Sequence, residues 1–308
     1  MNGALQSVLA PHGPQAGQIA TLAWVLFVFA SIILALVVFA ILLAMRGTPR
    51  IRDVIARERT ILGFGLVLPV VTLSMLLGWG IWLTRAHTGH AGEALQIEVT
   101  GLQWWWRVVY ASPKPVVSAN EIRIPVGHPI ELTLGSADVI HSFWVPSLAG
   151  KVDMIPGRVN RLRLTADRPG TYRGQCAEYC GGPHALMGLK LIAMPRHEYD
   201  AWFGREAGEA AAPSSDIERH GQTLFIAAGC GSCHAVRGTA AAGAIGPDLT
   251  HYAARGSVGI DTLPLTAENL AHFIRDGQHI KPGNRMPEFR IFSTAEETAL
   301  VGYLMSLR

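Results

Sequence analysis

The sequence is short of charge and of cysteine. Only 16% of its 308 residues are Asp, Glu, Lys or Arg while 49% are hydrophobic, and its mean hydropathy is +0.26. Soluble domains carry roughly 25% charged residues, so part of this length belongs in a membrane. The formal net charge is +3 and no basic block stands out, which sets nucleic acid aside as a partner. The four cysteines, Cys176, Cys180, Cys230 and Cys233, fall into two close pairs. Pairs so few in a chain this long exclude a disulfide framework and read as cofactor attachment points.

Residues 18 to 45 contain no charged side chain, and as a helix they would reach roughly 42 Å, beyond a hydrocarbon core of ~30 Å. A second uncharged run, 61 to 84, would reach roughly 36 Å, with Pro69 inside it as membrane helices tolerate. Between the runs stand Arg46, Arg50, Arg52, Arg57 and Arg59 against Asp53 and Glu58, whereas residues 1 to 17 hold no Lys or Arg. The positive-inside rule then makes the connecting loop cytoplasmic and places both termini outside. A signal peptide would be shorter than the first run and would carry a basic start.

From about 95 to 195 the pattern changes to short β-branched and aromatic stretches broken by turn signals. Alternation at Ile122, Ile124 and Val126 and at Leu132 and Leu134 predicts half-buried strands of a β-sandwich or Greek-key barrel. REAGEAAAPSS, residues 205 to 215, has the composition of a linker; if flexible, its reach would be roughly 18 Å. Residues 216 to 308 read as a small α domain, whose last helix opens on a capping box at Ser293 and Glu296. The expected architecture is therefore a multidomain membrane protein: an extracytoplasmic tail (1–17), a transmembrane helical hairpin (18–85), an all-β domain (86–203), a linker (204–215) and a small all-α domain (216–308).

The second cysteine pair belongs to Cys230-Gly-Ser-Cys233-His234, a C-x-x-C-H motif in which two thiols attach haem and the histidine ligates its iron. A redox or zinc C-x-x-C is the plain alternative. Against it stand the small helical domain and a methionine, Met286, where a second axial ligand is wanted. These residues resemble class I cytochrome c domains: a helix with Gly221 and Phe225, then CGSCH, GPDL, NRMP and a closing helix with Tyr303. The resemblance spans 216 to 308. It implies His234 and Met286 as axial ligands and the Pro247 carbonyl as the partner of the imidazole. A His/Met pair raises haem potential and suits electron transfer.

The first pair sits in CAEYCGGPHALM, which gathers Cys176, Cys180, His184 and Met187. Thiolate, imidazole and thioether together suit copper better than zinc. A mononuclear blue-copper site needs one cysteine, so two thiols allow a bridge between two metals, provided another histidine arrives from elsewhere. The candidate is His141 at a strand end. His12, His87, His90, His128, His197, His220, His251, His272 and His279 show no matching partner spacing and read as surface or packed histidines.

HSFWVPSLAGKVDMIPGR together with CAEYCGGPHALM closely resembles the binuclear copper (CuA) domain of cytochrome c oxidase subunit II. With two membrane runs before it, the resemblance covers 18 to 200. It implies a cupredoxin fold in which Cys176 and Cys180 bridge two coppers, His141 and His184 are terminal ligands, and Met187 and the Glu178 backbone oxygen are further ligands. The Glu178 side chain would reach a magnesium at the interface with subunit I. Gln103-Trp104-Trp105-Trp106 matches the family's tryptophan segment, which makes Trp104 the candidate electron-accepting residue; the alternative is that these tryptophans are sandwich core and membrane-interface packing.

Two departures from the family pattern stand out. Leu62 occupies the place where many members carry a glutamate at the mouth of a proton channel, with Glu58 only a remote substitute. The cupredoxin segment, 95 to 203, holds nine acidic against eleven basic residues, so it offers no acidic docking face for a basic cytochrome. A fused donor would work without one, at high effective concentration. The expected function is an electron-relay subunit of an oxygen-reducing, proton-pumping haem-copper oxidase in a bacterial-type plasma membrane. Its partners would be subunit I, the other oxidase subunits, an upstream electron donor and membrane lipid. A CuA subunit of a nitric oxide reductase is the alternative, and a non-enzymatic copper-binding or assembly protein a weaker one. Quinol-oxidase subunits II lack the copper ligands.

Overall fold

The structure is a computed structural model that describes residues 6–88, 94–112, 115–259 and 261–308. Among the histidines set aside above, His90 and the side chain of His87 lie outside the described residues, as does the start of the N-terminal tail. The chain forms two units, Gly17–Ala91 and Met1–Ala16 with Gly92–Arg308.

In the first unit, helix α1 (Pro14–Arg46) runs without interruption and ends on Arg46. Two short helices, α2 (Pro49–Ile55) and α3 (Glu58–Leu62), lead to α4 (Leu68–Thr88) through a π-helical turn at Gly63–Val67. Pro69 explains the turn: its ring collides with the carbonyl four residues earlier, at Gly65, and the wider π turn relieves the clash. Pro14–Arg46 and Glu58–Thr84 are long and apolar enough to cross a membrane, and their apolar windows bury nothing within the chain. Side chains so apolar and so exposed suit a lipid environment.

The second unit contains the sandwich. Ten strands form two sheets. The first is ordered β3 (Val116–Ala119), β2 (Trp105–Tyr110), β1 (Leu95–Leu102), β5 (Ile130–Ser136), β8 (Asn160–Leu164). The second is ordered β4 (Glu121–Pro125), β10 (Gly188–Met194), β9 (Gly170–Cys176), β6 (His141–Trp144), β7 (Val152–Met154). Alternation builds the core, since period-two side chains from both inner faces meet. Ile97, Val99, Ile122, Ile124, Leu132 and Leu134 are all buried in one cluster with Trp106 and Phe143, whose rings meet edge to face at 5.8 Å. Residues 12 to 16 are tied to this sandwich, with His12 N donating to Ser147 O and Ala16 N to Leu148 O.

Helix α5 (Arg196–Glu206) continues into the stretch with linker composition. That stretch is held to the α domain at its start: the Arg237 guanidinium donates to Glu206 O and Gly208 O, and Ala210 N donates to Arg237 O. Composition showed small and polar residues, but it could not show that their carbonyls would meet a buried-side arginine. The α domain follows with α6 (Asp216–Ala227), α7 (Ala267–Ile280) and α8 (Thr294–Ser306), and the capping box at Ser293 and Glu296 opens α8. Gly221 lets α6 cross α8, because a Cβ there would lie 2.0 Å from Ala299 O. Phe225 and Tyr303 close the contact at 5.8 Å.

Candidate metal centre and haem site

Strand pairing assembles the first site. β6 pairs antiparallel with β9 with Phe143 opposite Cys176, so His141 at the start of β6 and Cys176 at the end of β9 meet at one end of the sandwich. The loop between β9 and β10 is closed at its neck by Cys176 N donating to Met187 O at 3.0 Å, and Ala177 N donates to Ser142 O at 2.9 Å. A short 3-10 turn, His184–Leu186, aims His184 back toward the thiols.

His141, Cys176 and Cys180 offer ligand atoms that all lie within 4.8 Å of one another, and all three residues are buried. The Nδ1 of His141 lies 3.8 Å from Cys176 Sγ, and the Nδ1 of His184 lies 3.4 Å from Cys180 Sγ. Met187 Sδ lies 3.7 Å from Cys180 Sγ, and the Glu178 carbonyl oxygen 3.2 Å from Cys176 Sγ. All six sequence-predicted copper ligands therefore converge. Both cysteines are free.

The electrostatics are those of a site prepared for a cation. Cys180 shares its proton with Cys176, which pulls the Cys176 thiol well below its ordinary range against the effect of burial; the same bond, with burial, pushes Cys180 up. Metals bind thiolates, and a lowered thiol pKa favours that form. Burial pushes His141 down, but its bonds to Cys176 and Asp138 outweigh it and leave the pKa raised. Asp138 was not singled out from sequence. Its Oδ1 lies 2.8 Å from His141 Nε2, and its Oδ2 accepts from Gln103 N at 2.7 Å. Such a carboxylate fixes which imidazole nitrogen faces the metal. Its signal in the sequence was faint, an acid three residues before the histidine.

Gly101 was missed for the same reason. A Cβ there would lie 2.8 Å from His141 Cδ2, so only glycine lets the ring sit against β1. Of the three tryptophans, Trp105 and Trp106 are buried in the sandwich. Trp104 is instead half-buried at its edge, with Nε1 donating to Cys180 O at 3.0 Å beside Gln103 Nε2, which donates to the same oxygen at 2.9 Å. The Glu178 carboxylate is partly exposed and lies 3.7 Å from Lys151 Nζ.

The second site opens between the α domain and the sandwich, where a cavity of about 430 Å³ has Cys230, Cys233, His234 and Met286 of the α domain in its wall and Trp104 and Trp105 of the sandwich on its lining. His234 Nδ1 lies 2.8 Å from Pro247 O, which leaves Nε2 free for a metal. Burial pushes His234 down, favouring the neutral imidazole that ligates iron. Gly246 makes the bed for this ring: a Cβ there would lie 2.6 Å from His234 Cε1. A covalently attached, flat macrocycle fits these residues, with thiols at one edge and His234 on one wall.

Known proteins bear directly on these two sites. The profile for cytochrome c oxidase subunit II, periplasmic domain, matches residues 111–194, and that for cytochrome c matches 219–308. Cytochrome c oxidase subunit 2 of Alkalihalophilus pseudofirmus is 36% identical over 98% of this chain and 91% of its own length. The chain belongs to the cytochrome c oxidase subunit II family. The subunit 2 of Bacillus subtilis is 31% identical, covering 79% of this chain and 70% of that one. Among solved structures, the periplasmic domain of subunit II of cytochrome oxidase (CoxB) of Bradyrhizobium japonicum is 31% identical, covers 38% of this chain and 96% of that one, and has a TM-score of 0.37. This subunit II is thus part of a haem-copper oxidase, with a cupredoxin-like sandwich and a cytochrome c domain after two apolar helices. Its two matched domains imply copper and haem c, and the donor sets above suit each.

Proposed function

We propose that this chain relays electrons within an oxygen-reducing, proton-pumping oxidase. A binuclear copper centre would be held by His141, Cys176, the Glu178 carbonyl, Cys180, His184 and Met187. Haem c would be attached at Cys230 and Cys233, with His234 and Met286 as axial ligands. When bound, these groups supply reversible one-electron chemistry, ordered from haem c to copper to the haem of subunit I, where oxygen is reduced. The protein's own residues hold that chemistry in place. Asp138 orients His141, and Pro247 orients His234. Burial of Cys176 and Cys180 keeps bulk water from the thiols, and Trp104 is tied to their loop at Cys180.

The observation that carries this reading is the convergence of two free thiols and His141 in one buried cluster, with the Nδ1 of half-buried His184 and a thioether beside Cys180. Zinc seldom takes thioether ligands, and a mononuclear copper site uses a single thiolate. We assign Trp104 as the electron-accepting residue and the Glu178 carboxylate as a magnesium ligand at the subunit I interface. Arg46, Arg50, Arg52, Arg57 and Arg59 support a cytoplasmic loop, which puts the copper and haem domains on the periplasmic or outer side.

The test uses the purified oxidase. It should contain two coppers and one c-type haem per copy of this chain, with a near-infrared band and a mixed-valence spin signal. Mononuclear copper, or zinc in equal amount, would sink the copper assignment. Oxygen consumption with reduced haem c should accompany these signals; nitric oxide consumption in its place would assign the complex to the reductases.

A further inference from the structure

The chain has four lysines, and one of them, Lys281, is only 2% exposed. It stands at the end of α7, five residues before Met286. An ammonium has three N–H donors, and Lys281 Nζ meets three carbonyl oxygens: Trp104 O at 2.9 Å, Leu186 O at 3.0 Å and Gly259 O at 3.4 Å. Gly259 belongs to the haem domain. Trp104 and Leu186 belong to the copper domain, and Leu186 immediately precedes Met187. A single buried amino group therefore joins the loop that carries Met286 to the loop that carries the copper donors.

Burial of a cation is costly. Desolvation pushes the Lys281 pKa down to about 7, and among the described residues no carboxylate forms an ion pair with it. An apolar side chain of the same length would avoid that cost, and such replacements of buried charge are often neutral or stabilising. What an apolar residue would not supply is direction. Two hydrogen bonds from one nitrogen to two separate loops of the copper domain, with a third back to Gly259 of its own domain, fix a lateral register, whereas a methylene chain permits sliding.

The neighbouring contacts lie along the same seam. Pro282 and Gly283 turn the chain across the face of Trp104: Gly283 has a φ of 84°, and a Cβ there would lie 3.6 Å from Pro183 Cδ and 3.7 Å from Trp104 Cη2. Arg285 donates to Gln103 Oε1 at 2.8 Å. Farther out, Gly256 N donates to Glu121 Oε1 at 3.0 Å, and Lys190 pairs with Asp261 at 2.8 Å. Of these outer contacts, Glu121 is also buried, while Lys190 and Asp261 are partly exposed and Arg285 is exposed. Lys281 is the buried side chain among them that reaches two separate loops of the copper domain.

The geometry points to Lys281 as a positioning residue for the step between the two centres: its bonds to Trp104 O and Leu186 O set the register of the Met286 loop on Trp104 and on the loop ending at Met187, and its bond to Gly259 O anchors it in the haem domain. The inference rests on the proposed relay, and it names the contact that fixes its geometry.

The test is Lys281→Met in the assembled, cofactor-loaded oxidase, read in two ways. Hydrogen exchange of residues 183–188 and 281–286 should rise about tenfold or more as the seam loosens. The haem-to-copper transfer rate after flash reduction should fall about tenfold or more, because small misplacements of a reacting pair are heavily penalised. The c-type haem bands and the two-copper spin signal should stay as in the parent. Unchanged exchange overturns the inference, and so does raised exchange with an unchanged rate, since Lys281 would then be structural only. Should the methionine variant not assemble, Lys281→Gln, which keeps two N–H donors, is read by the same pair of measurements with an intermediate effect expected. Absence of the two-copper signal in the parent would instead refute the proposed relay, while the exchange measurement would still decide whether Lys281 holds the seam.

Discussion

The Nε2 of His141 and the Oδ1 of Asp138 lie 2.8 Å apart, so the other ring nitrogen of His141 is the one that faces Cys176. Removing the carboxylate in Asp138→Ala frees the ring to rotate. Copper affinity should fall about 10–100-fold, the usual cost of losing such a partner. Copper retained after dialysis against a graded series of chelator concentrations measures this, with the haem bands as an internal control.

Gly101→Ala should disturb the same histidine from the other side. The new Cβ would sit 2.8 Å from His141 Cδ2, and overpacking of this kind costs about 1–3 kcal/mol. The two-copper spin signal should be altered or lost while haem content is unchanged. An unaltered signal would mean that β1 shifts to make room.

Met286→Ala should leave haem covalently attached, since Cys230 and Cys233 are untouched, and lower its reduction potential. Redox titration of the haem bands is the measurement. An unchanged potential would mean that another residue is the axial ligand.

Gly246→Ala tests the opposite wall. A Cβ 2.6 Å from His234 Cε1 forces the ring from its bond to Pro247, so the haem spectrum should shift from that of a His/Met pair while the copper signal persists.

Arg237→Ala should loosen the segment between the sandwich and the α domain. It removes bonds to Glu206 O, Gly208 O and Asp248, and hydrogen bonds from charged groups contribute about 1.5–3 kcal/mol each. Proteolytic nicking between residues 206 and 215 should accelerate about tenfold or more, without change in either cofactor signal.

Much was legible from the chain alone because it depends on short-range pattern. Uncharged runs mark spans long enough for a bilayer, strand alternation at Ile122 and Ile124 marks an inner face, and Ser293 with Glu296 marks a helix start. CGSCH and CAEYCGGPHALM carry most of their donors within a few residues. Copper was preferred over zinc from donor types alone, with His141 added from 35 residues upstream of Cys176.

The remainder depends on register between distant segments. Asp138 acquires a role only because β6 presents His141 to Cys176, and Gly101 only because β1 passes beneath that ring. The linker-like composition of 205 to 215 was visible, but its attachment to Arg237 was not. Lys281 is the extreme case: three acceptors from residues 104, 186 and 259 surround it, and none is near it in sequence. Donor chemistry and periodicity are local properties, so the sequence by itself determined the cofactor classes, the two spans and the kinds of domain. Directional bonds between carbonyls and buried charges exist only once the chain has folded back on itself. The seam joining the copper and haem loops was therefore decided by tertiary structure.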